Sequence, residues 1–419
     1  MTESARVRLT VGTFLVLGLV QATWPLSMDL YLPAFPRVAS DLDVPASAVQ
    51  ATLTAAFIGM AIGQLLAGPW SDRVGRTRPM TVALIVYLVG SVACALAPTA
   101  PLLVGARFVQ GLGAAGASVL TIAIVRDATE GGLMVRALAR LQIVNGAFVV
   151  LAPSMGAYLL LVVPWRGLFW ILAAYGVVLI FLTLAMLRPG AARASQTADS
   201  PRPQLYRPLA HDTTYVLLAT ASGLLFASMM AYMASSAFLF QETFGLTEST
   251  YALIFGGHGL VMILGAQVSA RVAVRMRPMR VAAVGTMTLV GAALAGMALS
   301  VVTGSASLWA FVVPLFLFTA AFGFTGPALG TSLLRDHRDR AGAAASVEGA
   351  GRMVFGAVAA PVAGALGATD PVAIFLVMAV LVAIAASLVL IAQRRRAREE
   401  AWGERSEPQP EHAREATAR

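Results

Sequence analysis

The chain of 419 residues is 58% hydrophobic and only 12% charged, with a formal net charge of +9. Soluble domains carry roughly 25% charged residues, so a soluble globular protein is excluded. All 30 basic residues are arginine; without lysine there is no Walker A loop, which needs Gly-Lys-Ser/Thr around a phosphate, so any energy must come from a source other than a P-loop ATPase.

Apolar runs of roughly 20 residues recur along the chain, and each is long enough to cross a bilayer. Lipid admits such runs only as helices, because backbone groups must be paired internally. The expected fold is all-α and membrane-spanning, with twelve transmembrane helices near 10–34, 46–67, 80–98, 101–125, 137–161, 167–187, 213–239, 250–270, 281–302, 307–332, 342–367 and 371–392. Arg6 and Arg8 before the first run imitate a signal peptide, but cleavage there would break a six-plus-six arrangement. The widest polar gap, 188–212, holds Pro189, Pro201, Pro203 and Pro208 and is expected to be a flexible linker. The division expected is therefore 1–187, linker 188–212, 213–393 and an Arg- and Glu-rich tail 394–419, solvated as helix or disordered.

The arginines fall in alternate gaps, including Arg73, Arg76 and Arg78, then Arg126, Arg136 and Arg140, then Arg271, Arg275 and Arg277, while the intervening gaps hold only Arg37 and Arg166. That alternation is the positive-inside pattern and places both termini in the cytoplasm. The basic charge therefore reports topology, and no nucleic-acid partner is expected. Cys94 is the only cysteine and lies inside an apolar run, so no internal disulfide can form.

A repeat supports two equivalent halves. Asp72–Ala83 returns at Arg271–Ala282, with Arg76, Arg78, Pro79, Met80, Val82 and Ala83 recurring in register. Internal repeats around a midplane site are the architecture of secondary transporters. Gly111-Leu112-Gly113-Ala114-Ala115-Gly116 matches a dinucleotide-binding pattern, but it sits in a membrane-length run without βαβ context. Small residues allowing close helix approach explain it better.

These residues resemble the major facilitator superfamily. Gly68-x-x-x-Asp72-Arg73-x-Gly75-Arg76 is similar to its motif A, and Arg107-Phe108-Val109-Gln110-Gly111 to motif B. Gly146 with Ala152-Pro153-Ser154-Met155-Gly156-Ala157 resembles the antiporter motif C, departing from it at Ala152 and Ala157. Met28-Asp29-Leu30-Tyr31-Leu32-Pro33, with Gly63-Gln64, Ser71-Asp72 and Arg126-Asp127, resembles the bicyclomycin/chloramphenicol resistance (Bcr/CflA) drug:proton antiporters. The resemblance implies two six-helix bundles in a bacterial inner membrane and a monomer that exports small, mostly apolar antibiotics. No cofactor is implied beyond the proton gradient. A nutrient symporter or facilitator of the same fold is the alternative.

Asp29 is the only carboxylate deep in the first half's apolar runs. Such a charge is costly and usually faces a cavity or an ion pathway; capping of helix 1 is the plainer reading. Arg107, about 9 Å into the fourth helix at 1.5 Å per residue, has a compatible depth, so contact with Asp29 stays open. The resemblance implies proton coupling for both. Glu348 and Arg352 stand at i, i+4, in the order that favours an ion pair, and read either as mutual neutralisation or as a second protonatable point. His258 is a candidate proton relay or substrate contact, or a packing residue. For motif A, the resemblance implies a cytoplasmic latch in which Asp72 faces the N-terminus of helix 11 and Arg73 pairs with Asp127. Trp24, Met28, Tyr31, Gln110, Asn145, Met229, Met230, Tyr232 and Phe238 are the expected drug-pocket side chains, being aromatic, flexible or amide-bearing.

Overall fold

The computed structural model describes residues 10–129, 131–186, 202–304, 307–337, 341–367 and 369–406, and every element among them is helical. The first six spans are α1 (Val11–Asp29), continued by a 3₁₀ turn (Leu32–Ala34) into α2 (Phe35–Asp41), then α3 (Ala46–Val74), α4 (Thr77–Leu96), α5 (Ala100–Ala128), α6 (Gly131–Leu159) and α7 (Trp165–Met186). A short helix α8 (Arg202–His211) leads to α9 (Thr213–Phe238), extended by a π turn (Leu239–Thr243), and then α10 (Glu248–Val272), α11 (Pro278–Val302), α12 (Leu308–Leu334), α13 (Ala341–Gly367) and α14 (Pro371–Ser406). Twelve of these stretches are long and apolar enough to cross a membrane.

Several ends differ from the sequence expectation. Gly68–Val74 is not a loop: α3 runs on through it, and the chain turns only at Gly75, whose φ of 87° needs glycine. The end of the expected flexible linker is the helix α8. α14 passes through Arg394, Arg395 and Arg396 as far as Ser406, so the tail begins as helix. Arg6, Arg8, the linker residues before 202 and the tail after 406 lie outside the described residues.

Packing within the first six spans rests on glycine. A Cβ on Gly59 or Gly63 of α3 would strike the backbone carbonyls of Phe108 and Leu112 on α5, and one on Gly111 would strike that of Ala56. Gly113 faces the backbone of Tyr87 on α4. Gly111 and Gly113 of the dinucleotide-like run are therefore closely packed helix contacts, as the membrane reading required. The last six spans use the same device, with Gly265 against the Ala320 carbonyl and Gly323 against that of Met262, joining α10 to α12.

The neighbour pattern repeats. The pairs α3–α5, α4–α5, α4–α7 and α1–α6 in the first six spans match α10–α12, α11–α12, α11–α14 and α9–α13 in the last six. The turn after α3 and the turn after α10 hold the two copies of the sequence repeat. Between the two sets, α3 packs on α13 and α6 on α10, contacts that are again related by the repeat.

Adding volume at a backbone-to-backbone contact costs about 1–3 kcal/mol or more. Gly63→Val should therefore lower the melting temperature of the detergent-solubilised protein by several degrees. Gly105→Ala, with nothing within 4 Å, should leave it unchanged; thermal unfolding followed by size-exclusion chromatography reads both.

Candidate functional site

The arginine-poor end of the bundle is tied by polar contacts across the two sets of spans. Arg37 on α2 forms a fork with Glu248 at the start of α10, at 2.5 and 2.8 Å, and donates to the Leu160 carbonyl at 2.9 Å. Gln50 of α3 donates to the Ala234 carbonyl and to Ser235 on α9, at 3.1 and 3.3 Å. Thr54 donates to the Ala357 carbonyl of α13, Ser154 of α6 to that of Ala252, and Gln241 to that of Pro33. Phe35 against Phe238 and Phe57 against Phe226 fill the apolar parts of the same seam.

Asp29 ends α1 at this seam. It is 4% exposed, and among the described residues no side chain donates a hydrogen bond to it or pairs with it. Within electrostatic range of it on α10 is Tyr251, whose hydroxyl is 3.0 Å from that of Ser236 on α9. The seat of Asp29 depends on close packing behind it: Gly156 of α6 lies directly against the Leu30 carbonyl. Of the motif C residues, Gly156 thus has a clear packing task and Pro153 stands inside α6, while Gly146 faces open space.

Arg107 does not meet Asp29. Fully buried on α5, it donates to the Ser27 carbonyl at 2.8 Å, to Gln110 Oε1 at 2.5 Å and to the sulfur of Met28 at 3.6 Å. Its guanidinium lies 5.1 Å from the ring centre of Tyr31 and 5.8 Å from that of Phe169. Gln110 in turn donates to Ser91 at 2.9 Å. Ser27 is in the last turn of α1, where carbonyls lack helical partners, and a cation there also suits the helix dipole. Arg107 therefore caps the helix that carries Asp29. Met28, Tyr31 and Gln110 are engaged in this network rather than gathered in a pocket.

At the arginine-rich end the motif A pairing differs from expectation. Arg76, not Arg73, takes Asp127, at 2.7 Å, and it also binds Asp72 at 2.6 Å and Ser71 at 2.6 Å. The reason is helical phase. Arg73 is still on α3 and exposed, whereas the turn at Gly75 swings Arg76 back across the ends of α3 and α5. Burial works against the Arg76 cation, but the Asp127 and Asp72 carboxylates outweigh it and hold its pKa above the ordinary arginine value. Asp72 is thus held by Arg76, four residues on in sequence, rather than facing helix 11. Gly68 has nothing within 4 Å.

In the last six spans, Glu348 and Arg352 do pair, loosely at 3.8 Å, while Ser222 of α9 donates to Glu348 at 2.5 Å and Arg352 lies over Phe226. His258 is 2% exposed, bonded to Thr319 at 3.2 Å and packed on Phe316 and Tyr232. Trp24 donates to the Met60 sulfur, Met229 is buried, Phe238 belongs to the seam, and Asn145 Oδ1 is buried without a partner. Sequence reasoning missed Arg37, Glu248, Gln50, Tyr251, Ser222 and Thr319. For Gln50 there was a signal, an amide at the start of an apolar run; for Arg37 and Glu248 it was opposite charges in two arginine-poor gaps.

Residues 17–353 match the profile described as Major Facilitator Superfamily, and the chain belongs to that family. It is 28% identical over 353 residues to the uncharacterized MFS-type transporter YdgK of Bacillus subtilis (strain 168), covering 83% of this chain and 87% of that one. It is 31% identical over 231 residues to the multidrug resistance protein MdtL of Escherichia coli O45:K1, covering 55% of this chain and 59% of that one. Among solved structures, a D-xylose–proton symporter superposes with a TM-score of 0.74 at 15% identity, covering 90% of this chain and 97% of that one. A bacterial homologue of the human lysosomal transporter Spinster, inward-facing, gives 0.73 at 14% identity, covering 91% and 96%. The solved structures give the fold, and family membership with twelve candidate membrane spans makes the protein a multi-pass membrane transporter.

A double-mutant cycle of Arg76→Ala and Asp127→Ala, read by thermal unfolding, should give a coupling of about 1 kcal/mol that shrinks with salt. The cycle of Arg73→Ala with Asp127→Ala should give none.

Proposed function

We propose that this transporter is a proton-coupled antiporter of the Bcr/CflA kind. It exports small, mostly apolar antibiotics, phenicol- or bicyclomycin-like, from a bacterial cytoplasm across the inner membrane. The arginine-rich end, with both termini, faces the cytoplasm, and 1–187 and 213–393 are the two bodies that rock, joined by 188–212 with 394–419 as the tail. The likeness to a multidrug resistance protein supports drug export.

The observation that carries the reading is Asp29, a buried carboxyl group with no side-chain partner among the described residues, at a seam closed on the arginine-poor side. An unpaired carboxylate is costly in such a place, whereas the neutral acid is tolerated. The seam therefore closes over protonated Asp29. When it opens, the group meets water and can exchange its proton. In the cycle, Asp29 takes a proton from outside as drug leaves, the seam shuts, and the proton passes to the cytoplasm as new drug binds. Arg107 keeps α1 capped in both states. Glu348, held by Ser222 and Arg352, is the candidate second protonatable group. His258, by contrast, is bonded to Thr319 and packed on Tyr232 and Phe316, and no carboxylate pairs with it among the described residues.

Asp29→Asn should reach the membrane and bind drug, yet lose proton-driven export at least about tenfold, as one removed coupling group would. Proteoliposomes subjected to a pH jump read this directly. Undiminished export by the variant would refute the role of Asp29, and drug movement in the same direction as protons would show a symporter instead.

A further inference from the structure

Among the described residues of the last six spans, five side-chain polar atoms are buried without a partner, on Tyr232, His258, Ser269, Ser300 and Arg352, and two of them have neighbouring rings: the hydroxyl of Tyr232 on α9 and Nε2 of His258 on α10. Tyr232 is 0% exposed and His258 2%, and their rings lie 5.6 Å apart, tilted at 46°. Buried polar groups in folded proteins almost always find a hydrogen bond. Two neighbours that both lack one mark a place where something else supplies it.

Thr319 fixes what the histidine offers. The one proton of the Thr319 hydroxyl is shared between the carbonyls of Leu315 and Phe316, 3.0 and 3.1 Å away. Toward Nδ1 of His258, 3.2 Å away, it can then only accept. In that arrangement His258 carries its proton on Nδ1, and Nε2 presents a bare lone pair. The remaining contacts of the ring are aromatic, Phe316 at 4.1 Å and Tyr232, so nothing there serves as counter-ion for an imidazolium.

The pair therefore presents one acceptor, Nε2, beside one donor, the Tyr232 O–H. That is the complement of a single hydroxyl group, which donates once and accepts once. The surroundings suit an aromatic body: Phe255 stacks on Tyr232 at 6.4 Å, and Phe316, only partly buried, covers His258. All these residues stand near the middle of their spans, where carriers of this architecture hold cargo.

We infer that Tyr232 and His258 form a subsite for the hydroxyl group of the cargo, and that the cargo includes neutral aromatic alcohols. This deepens the export reading above and rests on it for the word cargo. The test uses the full-length protein in proteoliposomes and two probes, triclosan and its methyl ether, which differ by one O–H. Equilibrium binding should favour triclosan about tenfold, the effect of a hydrogen bond made or lost in a buried site. His258→Phe removes the acceptor for the probe's O–H and should abolish that preference, whereas Tyr232→Phe removes a donor that the oxygen of either probe can use and should weaken both alike; thermal unfolding followed by size-exclusion chromatography shows that the variants are folded.

Absence of triclosan binding to the wild-type protein would overturn the inference. So would equal binding of the two probes, a preference kept by His258→Phe, or undiminished binding of both probes by Tyr232→Phe, since a buried water would then be the partner of both atoms. Transport is measured separately. Preferential binding without proton-driven triclosan efflux would leave the subsite standing and remove the export reading.

Discussion

The guanidinium of Arg107 holds the end of α1, and much of the arginine-poor side follows from that one anchorage. A charge inside a membrane bundle must find acceptors. Arg107 finds them in the Ser27 carbonyl and Gln110, with Tyr31 and Phe169 against its faces. α1 is thereby pinned just before Asp29, on the side away from the seam. The chain then passes through the 3₁₀ turn into α2, which carries Arg37 out to Glu248. The same anchorage leaves Asp29 as the acid that no cation or donor attends among the described residues of the seam.

Rigid halves make such a difference consequential. Where Gly59, Gly63 and Gly111 bring backbones together, α3 and α5 cannot slide without a clash, and Gly265 and Gly323 do the same for α10 and α12. Tightly packed bodies move as units, and the seam between them holds the alternative arrangements. In the arrangement seen here, Arg76 gathers Asp72 and Asp127 within the first six spans. A latch made across the halves by Asp72 would need that carboxylate turned toward α13, an arrangement other than the one seen here, where Arg76 holds it.

The number of spans, their order, and the purpose of the Gly111–Gly116 run were legible from apolar length and small-residue spacing alone. Asp29 and Arg107 were legible because charge in an apolar run is expensive. What was not legible is direction. Membrane helices are apolar on every side, so periodicity does not say which face meets protein and which meets lipid. Met28 and Tyr31 could thus be read as pocket residues, although the end of α1 and the residues just after it direct them to Arg107. The same ambiguity chose Arg73 for Asp127. Only the end of α3 at Val74 and the positive φ of Gly75 decide for Arg76.

The unsatisfied atoms and the unpaired acid are connected by geometry. Tyr232 and Ser236 are one turn apart on α9, and Tyr251 and His258 two turns apart on α10. Ser236 and Tyr251 join across those helices at 3.0 Å, while Tyr232 and His258 face each other deeper in the bundle. Asp29 lies within electrostatic range of this ladder, on the other set of spans. Coupling between two sites requires an element with two arrangements that both sites bias. The α9–α10 pair meets the structural part of that requirement, because a shift that parts Tyr251 from Asp29 also moves Tyr232 and His258, which stand on the same two helices.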